Sequence, residues 1–121
     1  MNAGPGILEL VRADKVLVAD GAMGTMLMAR GLKAGECPES FNLTNPDAVG
    51  EVGRLYVGAG AEIIQANTFG ASPLKLARYG LEGRTEEINA RGVEIAKKAA
   101  RTHAFVAAPC GPSGRLLKPY G

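Results

Sequence analysis

The stretch A-G-A-E-I-I-Q-A-N-T-F-G, Ala59 to Gly70, decides the fold reading of this chain. A glycine at its head ends whatever precedes it, the apolar pair Ile63 and Ile64 follows within residues 62–66, and a polar loop closes it. A short apolar run without strict apolar/polar alternation has the pattern of a strand covered on both faces. Two more runs repeat the pattern: residues 15–19 with Val16, Leu17 and Val18, and residues 104–108 with Phe105 and Val106. The expectation is three buried parallel strands.

Helical patterns fill the intervals. Between the first two runs Asn45 stands as N-cap with Pro46 at the first helical position, and Val49, Val52, Tyr56 and Ala59 recur at helical spacing up to Gly60. Gly50, Gly53 and Gly58 weaken that helix by roughly 1 kcal/mol each relative to Ala. Between the second and third runs Thr85 is the expected cap of a helix. Glu86 and Glu87 open it, and Lys97, Lys98 and Arg101 close it, in line with its dipole. Its apolar stripe is Ile88, Gly92, Ile95, Ala96 and Ala99, and Glu87 with Arg91 and Glu94 with Lys98 are expected ion pairs. Shorter helices are expected around Ile7 to Val11 and after Gly24 and Pro73. Parallel strands need helical crossovers, so the fold class is α/β. In such folds ligands collect at the C-terminal edge of the sheet.

The chain has 121 residues, the size of one domain. A 46% hydrophobic and 21% charged composition predicts a soluble globular protein with no membrane partner, since no apolar run approaches about 18 residues. A net charge of +2 with scattered basic residues argues against a nucleic-acid partner. Two cysteines 73 positions apart form no disulfide framework, and with no signal-like segment the expected setting is reducing and cytoplasmic.

Three loops follow the three runs. Asp20-Gly21-Ala22-Met23-Gly24-Thr25 sets a carboxylate beside two glycines: either it holds an amino group, or Asp20 caps the next helix and the glycines turn the chain. Asn67-Thr68-Phe69-Gly70 offers an amide and a hydroxyl, for a ligand or for a local turn. Cys110-Gly111-Pro112-Ser113-Gly114 carries little ionisable chemistry and reads as a turn. Cys37, Cys110 and the sole histidine, His103, lack a further partner for zinc; they read as a loop thiol, a packed thiol and a helix-terminal cation. Gly58-Ala59-Gly60 is no dinucleotide fingerprint, because it leads into a strand rather than out of one.

The ordered series D-G-A-M-G-T (Asp20 to Thr25), C-P-E-S-F-N-L-T (Cys37 to Thr44), the Ala59 to Gly70 stretch, E-I-N (Glu87 to Asn89) and C-G-P-S-G (Cys110 to Gly114) resembles the N-terminal part of the homocysteine S-methyltransferase family. Within that family the likeness is greatest to the homocysteine-binding domains of cobalamin-dependent methionine synthases. The resemblance implies a (β/α)8 TIM barrel that makes methionine, holding homocysteine at its C-terminal mouth on a zinc ion. Cobalamin is the linked cofactor and methylcobalamin or a similar compound the methyl donor. Asp20 matches the family acid that holds the amino acid's ammonium, Gly21 and Ala22 line that end of the pocket, and Asn67 and Thr68 face the same mouth. These are binding roles; no catalytic or metal-ligating residue is assigned.

Departures from the family pattern are Ala66, where Thr is usual, Gly53, where His is common, and Ala108-Pro109-Cys110. The Gly-Gly-Cys-Cys run that carries zinc ligands does not occur. Residues 1–121 are thus expected to be the first three βα units of an incomplete barrel, truncated before the zinc ligands and inactive alone. Two alternatives stand beside this reading. One is a noncatalytic partial barrel that self-associates through its sheet edge or complements another half; the other is a betaine- or S-methylmethionine-dependent homocysteine methyltransferase.

Overall fold

A computed structural model describes residues 4–120. In chain order the elements are α1 (Ile7–Arg12), α2 (Gly24–Met28), a 3-10 turn (Pro38–Ser40), α3 (Phe41–Thr44), α4 (Pro46–Gly58), β1 (Ile63–Gln65), α5 (Pro73–Leu76), two further 3-10 turns (Ala77–Tyr79 and Glu82–Arg84), α6 (Thr85–Ala100) and β2 (Phe105–Ala107).

The two long helices form where their start signals lie. At α4 the Asn45 side chain accepts the Ala48 N–H at 3.4 Å and Pro46 takes the first turn, where no N–H is missed. Helix α6 differs from expectation: Thr85 is its first residue rather than its cap, and its hydroxyl donates to the Glu82 carbonyl at 2.7 Å. The preceding 3-10 turn draws Thr85 into helical geometry and hands that carbonyl to it. Of the expected ion pairs, Glu94 with Lys98 forms at 3.7 Å. Glu87 turns instead to Arg84 at 3.0 Å, and Arg91 to Glu94 at 3.8 Å.

Helices α4 and α6 pack against each other at a glycine. A Cβ on Gly53 would stand 2.9 Å from that of Ala99, so the residue that weakens α4 by propensity is what lets α6 approach. Beneath this pair lies the main core of Ile64, Ala66, Ala96, Ala99, Ala100 and Ala104, with Val106 against it. A second cluster joins Leu27 and Phe41 to Val49 and Val52, and a third holds Cys37, Ala71, Leu76 and Ile88.

Strands β1 and β2 are parallel, pairing Ile63 with Phe105, Ile64 with Val106 and Gln65 with Ala107. The crossover between them runs through α5 and α6, as the α/β class requires. Two expectations are corrected. The 15–19 run is no full strand: it makes a single parallel bridge, Ala19 to Ile63, with Asp20 N–H donating to the Ile63 carbonyl at 2.9 Å and Ile63 N–H to the Val18 carbonyl at 3.1 Å. Val16 is 86% exposed and Val18 57%, because the run lies at an open edge. Nor are the strands buried on both faces. Ile64 and Ala66 face the helices and are buried, whereas Gln65 and Ala107, on the opposite pleat, are exposed.

Candidate functional site

The C-terminal ends of the bridge at Ala19, of β1 and of β2 surround a cavity of about 340 Å³. The first loop contributes Asp20, Gly21, Met23 and Gly24, and the turn Pro38–Ser40 contributes Pro38 and Glu39. The end of β1 and its loop contribute Gln65, Ala66, Asn67 and Phe69, and Pro109 stands beyond β2. Asp20 and Asn67, 47 positions apart in the chain, therefore share one basin.

Asp20 is not a helix cap, since α2 is preceded by Met23 and has no side-chain cap. Its Oδ2 accepts the Gln65 N–H at 2.9 Å, stitching the first loop to the end of β1. Its Oδ1 is buried without a hydrogen-bond partner. A buried acceptor left unpaired raises the free energy of the empty site and favours a ligand that brings a donor.

Gly21 lines the cavity, but Ala22 does not; the Ala22 carbonyl instead accepts the Tyr56 hydroxyl at 2.7 Å. Tyr56 projects from α4, so the long helix holds the first loop in place. Asn67 is buried, and both hydrogens of its amide are used by the scaffold, on the Pro38 carbonyl at 2.9 Å and on Asn42 Oδ1 at 3.0 Å. Thr68 is buried away from the cavity wall, donating to the Pro109 carbonyl at 2.8 Å. It ties the end of β1 to the end of β2.

Two residues of the site escaped sequence reasoning. Asn42 is fully buried and donates to the Asn67 and Ile88 carbonyls at 2.8 and 3.0 Å. It comes so close to α6 that a Cβ on Gly92 would meet its Nδ2 at 2.8 Å. Glu39 is only 6% exposed. Its Oε1 accepts the Gly70 N–H at 2.7 Å, and its Oε2 is buried without a partner. Burial pushes the Glu39 carboxyl above the ordinary carboxylate range, against the opposing pull of the Gly70 N–H and Lys75. The sequence signal for it is a carboxylate in a proline-led turn, which ordinarily faces water.

The thiols exchange their expected roles. Cys37, in the connection, is packed with Leu76 and Ile88, while Cys110, beyond β2, is exposed. Burial first, and then the neighbouring Glu39, push the Cys37 thiol up, away from the thiolate that binds metals. Among the described residues no three His, Cys, Asp or Glu side chains come together to hold a metal ion. The donor set therefore does not fit the zinc ion that the resemblance implies.

The family model of homocysteine S-methyltransferase matches residues 17–121. The methionine synthase of Mycobacterium tuberculosis is 37% identical over 98 residues, which are 74% of this chain and 8% of that protein. That of Mycobacterium leprae is 36% identical over 96 residues, again 8% of its length. The metallated form of the homocysteine methyltransferase MmuM from Escherichia coli superposes with a TM-score of 0.74 at 28% identity, over 88% of this chain and 42% of that one. The chain thus spans a small part of the methionine synthases and under half of the solved enzyme. With the match running through all three sheet-edge loops, the chain belongs to the homocysteine S-methyltransferase family.

Proposed function

We propose that this chain is the opening portion of an enzyme that methylates the thiol of homocysteine to make methionine, and that its share of the work is to hold the amino-acid end of homocysteine. The observation that carries the reading is Asp20. It lines the cavity where the strands end, with one oxygen anchored by Gln65 N–H and the other buried and unpaired. An ammonium supplies both the missing donor and the opposite charge. Gly21 beside it lets backbone approach the ligand, and Asn67 lines the wall while its amide hydrogens keep that wall in place. Ala22 and Thr68 act one step back, through Tyr56 and Pro109.

In this reading the parallel pair belongs to the first units of a (β/α)8 barrel, and the cavity edge to its mouth. Methyl transfer requires the ligand's sulfur as thiolate. No thiol-activating step is assigned to the residues of this chain, whose donors do not fit zinc. The methyl donor in this reading is methylcobalamin or a similar compound. Calorimetric titration of L-homocysteine into wild type and Asp20→Ala tests it: the variant is expected to bind at least about tenfold more weakly. Equal affinities remove Asp20 from the site.

The exposed edge favours one further reading, pairing of the Val16–Val18 edge with a second copy. Light scattering on the eluting chain decides it, with a monomer counting against.

A further inference from the structure

We propose that Glu39 is a second acceptor for the ligand's ammonium group, so that Asp20 and Glu39 together select a primary ammonium; this deepens the homocysteine reading and rests on it. The two carboxylates reach one cavity from segments 19 positions apart, and each keeps one buried oxygen with no hydrogen-bond partner. Among the described residues no Lys, Arg or His lines that cavity. Two unpaired acidic oxygens and no basic side chain call for a ligand that is cationic and carries at least two donors. A primary ammonium has three N–H groups and a full charge, whereas an acylated nitrogen is neutral and a quaternary one has no N–H.

Glu39 stands in the wall between this cavity and a smaller one of about 170 Å³, which it lines together with Cys37, Lys75, Arg78 and Tyr79. These, with Asp20 on the first cavity, are the titratable groups around it. Lys75 pulls toward the ionised form, yet burial dominates and favours the proton. An entering ammonium reverses that balance. The cation favours the carboxylate, whose unpaired oxygen accepts an N–H of the ligand.

The experiment is calorimetry of the 121-residue chain with L-homocysteine, N-acetyl-L-homocysteine and n-butylamine. Wild type is expected to bind the N-acetyl compound at least about tenfold more weakly than L-homocysteine. Glu39→Gln keeps an oxygen for the Gly70 N–H and is expected to lose about tenfold in affinity. Wild-type affinity in Glu39→Gln overturns the proposal. If Asp20→Asn is weakened in that same case, the homocysteine reading survives alone. Binding of n-butylamine that depends on Glu39, without binding of L-homocysteine, sinks the homocysteine reading and leaves the ammonium site standing. Should Glu39→Gln not fold, wild type decides: equal binding of the N-acetyl compound overturns the proposal.

Discussion

Asn42 and Asn67 are bonded in both directions: the Asn42 amide donates to the Asn67 backbone carbonyl at 2.8 Å, and the Asn67 amide donates back to Asn42 Oδ1 at 3.0 Å. With the further bonds to Ile88 and Pro38, this buried pair joins α3, the end of β1, α6 and the Glu39 turn in one network. Every donor in it has an acceptor, which is the condition under which a buried polar network stabilises rather than destabilises.

Asn42→Ala should therefore destabilise the chain by about 3 kcal/mol, because two carbonyls and an amide lose their partners in a place water does not reach. Urea unfolding gives the number. A loss below about 1 kcal/mol means that the network is not what holds the end of β1.

Tyr56→Phe removes one hydrogen bond, to the Ala22 carbonyl, and leaves the ring in place. The expected stability loss is about 1 kcal/mol. Because that bond fixes the loop bearing Asp20, homocysteine affinity should fall as well. Unchanged affinity with the stability loss would confine Tyr56 to a structural role.

Two glycine-to-alanine changes should move stability in opposite directions. Nothing lies within 4 Å of a Cβ on Gly58, so Ala there is expected to stabilise α4 by about 0.5–1 kcal/mol. On Gly92 the same methyl would meet Asn42 Nδ2 at 2.8 Å and Thr68 Cγ2 at 2.9 Å, and a loss of about 1–3 kcal/mol is expected. Thermal unfolding of both variants checks the signs.

Glu39 should make the chain less stable as the pH rises. Below the ordinary carboxylate value of 4.5 both folded and unfolded chains hold its proton. Above it the unfolded chain releases the proton while the folded chain, with its raised carboxyl, retains it, so stability falls until the pH passes the folded value. Glu39→Gln should remove this decline and raise stability at neutral pH. An unchanged decline in the variant assigns it to another group.

The α/β class, the starts of α1, α4 and α5 and the loops that ring the cavity were legible in the chain, because caps, prolines and apolar spacing are local signals. So were Asp20, Gly21 and Asn67 as members of one wall, since strand ends in a parallel sheet share an edge. What folding alone settled is everything that depends on which surface meets which. Gly53 reads as a helix weakness, and Gly92 only as part of an apolar stripe, until α6 is seen to approach α4 and Asn42 through them. Val16 and Val18 read as buried until the run is seen at an open edge. Glu39 stands in the sequence only as one letter of a motif until its carboxyl is found under the Gly70 N–H. Burial is a property of distant neighbours, and it decides whether an asparagine braces a wall, whether a carboxyl keeps its proton, and which of two cysteines meets water.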